Sequence, residues 1–290
     1  MSRLGRKQAA QAEFEAGLAN VTEETEAELT VAARLHSALG LQMRFRGAPE
    51  EAMVRLGHAL KLARRTSNLE LRCVCLVNWA AVLVDMRLLD RAQGCYVEAL
   101  EVQERIGREE DAAISRINLA QVALEKGDTE KAETLAQAAR GKLEASGTHW
   151  ALPELYRIMA QLRMNQSRFD DAQNFALMAV SMGEQVENHY YVGGAHRLLG
   201  DLAIQQGNIT EAAKHYAVAR ERLERVGEPR ELARVVVRQH KLGMAHSSFD
   251  VAKAEADLKT MTKLMEPYPQ DPVRFEIETL LNRISARGQK

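Results

Sequence analysis

Apolar and small side chains in this chain recur at helical spacing, and the whole pattern repeats every 40 residues. Six alanines mark the period: Ala52, Ala92, Ala132, Ala172, Ala212 and Ala252. The segments leading into them are alike: GAPEEA, RLLDRA, GDTEKA, SRFDDA, GNITEA and SSFDVA. Twelve residues before each marker stands a small residue (Gly40, Ala80, Ala120, Ala160, Gly200), with His240 as the exception. Seven residues after it stands another alanine (Ala59, Ala99, Ala139, Ala179, Ala219), with Lys259 as the exception. A large apolar residue precedes each small one: Leu39, Trp79, Leu119, Met159 and Leu199. Two helices that cross closely need small residues at the crossing and large ones beside it. A fixed period of this size therefore predicts an array of helix pairs, each unit burying its apolar side against its neighbours.

Local signals divide the chain into three parts. Residues 1–32 hold an N-terminal helix and the start of the first repeat helix, with Thr25 and Glu28 in capping-box spacing. Residues 33–266 hold six repeats. Gly107, Gly147 and Gly227 fall between them, where a left-handed residue ends a helix. Thr66-Ser67-Asn68 and Glu187-Asn188 take the equivalent places, and Asp128, Asn208 and Ser248 are predicted caps of the short turns within repeats. The proline-rich run from Pro267 to Pro272 breaks the array, with Asp271 and Pro272 suited to the N-cap and first turn of a final helix over 267–290. Its stripe of Val273, Ile277, Leu280, Leu281 and Ile284 is that of a helix capping the stack.

These columns resemble the tetratricopeptide-repeat family, in an extended 40-residue form similar to that of kinesin light chains and bacterial peptide-pheromone receptors. The sixth unit departs from the pattern at His240 and Lys259. The resemblance implies an all-α, right-handed superhelical solenoid of about six helix-turn-helix repeats with flanking helices. It also implies that first helices line a concave groove in which a protein or peptide partner binds.

Composition agrees with an all-helical protein: 46% of residues are hydrophobic but only 5% aromatic, and six prolines interrupt 290 residues. Basic and acidic residues nearly cancel, 39 against 40, which argues against direct nucleic-acid binding. No apolar run suits a signal peptide or a membrane span, and Cys73, Cys75 and Cys95 form no CxxC pair, so a cytoplasmic setting is expected. GxGxxG, GxxxxGK[ST], GxSxG and HExxH are absent; a non-enzyme without cofactor or metal is expected. His36 and His196 share a column with Tyr156 and read as packing histidines. The two segments around Gly243 imitate a DNA-binding helix-turn-helix, but the 40-residue clock explains them as a worn repeat.

The binding face is expected on the first-helix columns. Asn78 and Asn118 have amides that can bond both a peptide N–H and a C=O, or they are ordinary consensus residues. Around them stand Val74, Val77, Asp85, Ile114, Gln121 and Glu125; later repeats add Arg157, Gln161, Arg197, Asp201, Arg234 and Arg238. A basic end would grip carboxylates; the alternative is that these charges pair with one another, as the i,i+4 spacing of Arg197 and Asp201 allows. The His189-Tyr190-Tyr191 cluster either packs or forms a contact patch. The favoured function is a protein- or peptide-binding adaptor. A peptide-sensing regulator acting in transcriptional or signalling control and a self-assembling homo-oligomer are the alternatives.

Overall fold

The computed structural model describes residues 3–244 and 249–288. Among them are fourteen α-helices, a single 3-10 turn at His149–Ala151, and no strand. After α1 (Arg3–Ala19) the helices follow as first and second members of repeats. These are α2 (Glu26–Phe45) with α3 (Pro49–Ala63), α4 (Leu69–Asp85) with α5 (Leu89–Arg105), and α6 (Glu109–Glu125) with α7 (Thr129–Ser146). There follow α8 (Leu152–Asn165) with α9 (Phe169–Gln185), α10 (His189–Gln205) with α11 (Ile209–Val226), and α12 (Pro229–Gly243) with α13 (Val251–Leu264). Last comes α14 (Pro272–Gly288). The chain divides into two compact units, Met1–Ser115 and Arg116–Lys290, with the division inside α6.

The turn inside each of the first five repeats has one structure. A residue with positive φ sits at 47, 87, 127, 167 and 207, and the next amide reaches back five residues: Ala48 to Met43, Leu88 to Leu83, Asp128 to Ala123, Arg168 to Arg163, Asn208 to Ala203, all at 2.8–2.9 Å. This is the Schellman closure of a helix end. Gly47, Gly127 and Gly207 adopt it without strain, whereas Arg87 and Ser167 carry a Cβ in the left-handed region, at a cost of about 1 kcal/mol each. Asp128 and Asn208 cap the following helices as expected, accepting from Lys131 N and Glu211 N. Ser248 lies outside the described residues, and α13 is capped by Asp250, which accepts from Lys253 N. The Thr25–Glu28 capping box is present in both directions, and Gly107, Gly147 and Gly227 are left-handed between repeats.

Packing follows the small-residue columns. The marker alanines at 52, 92, 132, 172 and 212 and the second alanines at 59, 99, 139, 179 and 219 are all 0% exposed. The sixth marker is a correction: Ala252 is exposed, and α13 instead buries Ala254, Leu258 and Met261. The longer connection between α12 and α13 moves the buried stripe two residues along. At the crossings, a Cβ added to Gly40 would stand 2.5 Å from Leu56 Cγ, and one added to Gly200 would stand 2.4 Å from Tyr216 Cε1. The large partner thus occupies the space that the small residue vacates. In the second unit α14 buries Val273, Ile277, Leu280 and Ile284 in one cluster with α12 and α13, and Asp271 caps it by accepting from Val273 N at 3.0 Å.

Gly200→Ala tests the crossing directly. Alanine's better helix propensity, worth roughly 1 kcal/mol, is expected to be outweighed by overpacking against the Tyr216 ring, which costs about 1–3 kcal/mol. A lowered urea midpoint is the expected result; an unchanged or raised one means that the crossing tolerates a wider spacing.

Candidate functional site

The columns expected to face a ligand lie on α2 and α4 in the first unit, and on α6, α8, α10, α12 and the start of α14 in the second. Within each unit neighbouring first helices lie side by side, so polar groups in these columns meet their counterparts about one repeat away. In the second unit this produces a ladder. Arg157 donates to Glu154 on its own helix at 2.6 and 2.8 Å and to Gln121 Oε1 on α6 at 2.9 Å. Arg197 donates to Asp201 at 3.0 Å and to Glu231 on α12 at 2.8 Å. Asp201 also accepts from Arg238 Nε at 2.5 Å and from the Tyr216 hydroxyl at 2.7 Å. Arg234 bonds Glu231 at 2.9 Å and both oxygens of Asp271 at 2.9 and 3.3 Å. Four arginines are thereby matched with the four carboxylates of Glu154, Asp201, Glu231 and Asp271.

Burial makes this matching consequential. Arg157 and Arg197 are 8% and 6% exposed, and Asp271 is 3% exposed. Burial pushes the Glu231 carboxyl upward, yet the charges of Arg197, Arg234 and Arg157 outweigh it and hold the group well below the usual carboxylate range. Arg157 loses solvation in the same way, and Glu154 more than compensates, raising its pKa.

The first unit shows the same arrangement on a smaller scale. Asp85, 3% exposed, accepts Nε and Nη2 of Arg44 from α2 at 2.5 and 3.1 Å. Asn78 donates from Nδ2 to the buried Ser37 Oγ at 2.9 Å. Val74 is 52% exposed, and Val77 is half-buried against the cluster around Leu76. On α6, Ile114 in the first unit and Asn118 in the second are half-buried. Gln121 donates to Glu125 at 2.9 Å, and Gln161 donates to Asn165 at 3.1 Å. The sequence reading named Arg197–Asp201 as a possible pair but missed Glu231, Arg44 and Tyr216 as partners. For Glu231 and Arg44 the signal is opposite charge at a separation of about one repeat, as in Arg44–Asp85, Arg197–Glu231 and Arg234–Asp271; Tyr216, a neutral hydroxyl 15 residues from Asp201, carries no such signal.

Tyr190 and Tyr191 are half-buried at the start of α10 and meet edge to face, with ring centroids 5.7 Å apart. Tyr190 packs against the large cluster of α10–α14, which is the packing role. His196 pairs with His215 on α11, Nδ1 to Nδ1 at 3.0 Å. Burial, and then the charges of His215 and Arg222, bring His196 down to about 4 against the pull of Glu184. Cys73, Cys75 and Cys95 are free thiols, and burial raises all three pKa values, that of Cys75 to about 12, which makes them unreactive. No helix among the described residues is long and apolar enough to cross a membrane.

This architecture defines a helical-repeat scaffold, built from helix-turn-helix pairs joined by charged rungs. Residues 72–144 match the family model "Tetratricopeptide repeat". No curated protein matches the sequence significantly. Solved structures share the fold at low identity. A Rap protein complexed with Competence and Sporulation Factor is 11% identical with a TM-score of 0.66, over 99% of this chain and 88% of that one. Aspartyl phosphate phosphatase F from Bacillus subtilis is 14% identical with a TM-score of 0.62, over 86% and 64%. The Cut9-Hcn1 hetero-tetramer of APC/C is 14% identical with a TM-score of 0.62, over 97% and 46%.

Two measurements separate a structural ladder from a loose set of surface charges. Arg197→Met removes one arginine from Glu231 and one from Asp201, leaving them to Arg234 and Arg238, and is expected to cost roughly 2 kcal/mol. Lys214→Met, which removes an exposed pair with Glu211, is expected to change stability by under about 0.5 kcal/mol. Equal effects in urea denaturation would mean that the ladder is no tighter than the surface.

The second measurement is the pH profile. A histidine whose folded pKa is depressed stabilises the fold fully above its ordinary 6.5 and loses that contribution as pH falls toward about 4. Stability should therefore decline from pH 6.5 to 5, above the window of the low-lying carboxylates. His196→Gln should flatten that slope; an unaltered slope removes His196 from the explanation.

Proposed function

We propose that this chain is a non-enzymatic binding scaffold that takes a protein or peptide partner on the first-helix faces of its repeats, without direct nucleic-acid contact. The observation that carries this reading is the 40-residue periodicity of the first-helix columns, in which Asn78 and Asn118 hold the same sequence position one repeat apart. Asp85, Arg157, Arg197, Asp201, Arg234 and Arg238 are engaged as ion pairs, which suits a recognition surface better than acid–base chemistry. The fold likeness to a Rap protein bound to Competence and Sporulation Factor supports a peptide as partner, and the likeness to Cut9-Hcn1 supports a protein. Three unreactive free thiols suit a reducing, cytoplasmic compartment.

A second reading, a peptide-sensing regulator, draws on the same Rap likeness. It differs in requiring that ligand binding alter another interaction, so it is tested by whether a bound peptide changes capture of a second partner.

The site assignment is tested by isolating a partner with the full chain as bait and measuring its affinity for the Asn78→Ala/Asn118→Ala variant. Loss of two amide contacts at about 0.5–1.5 kcal/mol each is expected to weaken binding about tenfold. Unchanged affinity removes these asparagines from the site. Failure to capture any partner counts against the scaffold reading itself.

A further inference from the structure

Among the described residues, one group of metal-ligating side chains converges away from the charged ladder. Glu23 lies in the connection between α1 and α2, His36 in the middle of α2, and His58 on α3. One carboxylate oxygen and one nitrogen from each ring all lie within 4.8 Å of one another. The imidazoles face each other with centroids 4.4 Å apart at a tilt of 49°, and His58 Nε2 stands 3.5 Å from Glu23 Oε1.

A second observation singles this cluster out. His36 Nδ1 is buried and has no hydrogen-bond partner, which holds for no other side-chain nitrogen or oxygen of the described residues. A buried polar atom without a partner costs about 1–3 kcal/mol, and an ion is one of the few things that removes that cost. Elsewhere paired histidines use their nitrogens: His196 meets His215, and His240 meets Asp257 at 3.1 Å.

We infer that Glu23, His36 and His58 form a binding site for a zinc-type divalent cation. Two imidazoles and a carboxylate are a common three-ligand set for such an ion, with the fourth position left to water or a further ligand. Ligands at about 2.0–2.1 Å around a tetrahedral ion stand about 3.3 Å apart. The Glu23–His58 separation of 3.5 Å already meets this, and the wider separations within 4.8 Å close by rotation of the side chains. Arg65 lies 3.9 Å from the other carboxylate oxygen, Oε2, so Oε1 is the one turned toward His58. Arg65 also donates to the Glu23 carbonyl at 3.3 Å, which fixes the connection that carries the carboxylate. The charges of Arg55, near His36, and Arg65 oppose a cation. The site is therefore expected to rely on both imidazoles rather than on charge. An occupied site would tie the α1–α2 connection to the first helix pair. This inference is independent of the binding-scaffold reading.

The full chain, freed of metal by chelator, is titrated with Co2+ followed by its visible absorption, then with Zn2+ by calorimetry. One equivalent of each is expected to bind, with tetrahedral Co2+ bands that Zn2+ displaces. His58→Gln and Glu23→Gln, both at accessible side chains, are each expected to weaken binding about 100-fold while far-UV circular dichroism stays unchanged. His196→Gln, in the other histidine pair, should bind as the parent does. Absence of saturable binding at one equivalent, or parental affinity in both His58→Gln and Glu23→Gln, overturns the inference.

Discussion

The close approach of paired helices at small residues is the constraint on which the rest of this structure depends. A chain that is 46% hydrophobic and only 5% aromatic has few bulky side chains with which to hold helices apart. It instead places alanine or glycine where helices touch and a larger residue opposite. Ten alanines in two columns are fully buried, and at Gly40 and Gly200 even a methyl group would collide with Leu56 or Tyr216. Spacing set in this way is stiff. It fixes how far one first helix lies from the next within a unit, and so which side chains along the first-helix columns can reach each other.

The charged ladder is a consequence of that spacing. A column that repeats with the helices brings side chains from neighbouring first helices within one arginine length. Unpaired charge there would be costly, because these positions are mostly shielded: Arg197 is 6% exposed and Asp85 3%. The sequence answers with opposite charge one repeat away, and arginine is suited to the task because its planar fork can serve two carboxylates. Arg197 does so with Asp201 and Glu231, and Arg234 with Glu231 and Asp271. Such pairs add little net stability over apolar contacts, but a one-turn slip would strand each of them. Their contribution is to the register of stacking more than to its strength.

Much of the fold was legible because its constraints are local or periodic. The capping box at Thr25, the left-handed glycines at 107, 147 and 227, and the cap at Asp271 each depend on a few adjacent residues. The alanine columns depend only on counting. The count failed at Ala252 because the longer connection before α13 adds two residues to the period, and nothing in the alanine itself reveals this. Arg87 and Ser167 were equally hidden, since the turn imposes left-handed φ on residues that do not favour it. The candidate site was less legible. A column lists side chains facing one way, but whether Arg157 meets a ligand or Gln121 and Glu154 depends on distances across helices. His36 and His58, 22 positions apart and in different columns, show no common pattern until α2 and α3 fold together.

The ladder also constrains what a partner can offer. A carboxylate competing for Arg197 must displace Glu231 or Asp201, which then keep only Arg234 or Arg238; one ion pair is traded for another and the exchange gains little. In the second unit the arginines are thus poor anchors for an acidic partner, although composition alone makes them look inviting. The first unit differs. Val31 and Val74 are 46% and 52% exposed on its first helices, and Asn78 engages Ser37 through a neutral amide whose exchange strands no charge. For the scaffold proposed above, the free energy of exchange, rather than the sign of the local charge, decides which of these side chains are open to a new contact.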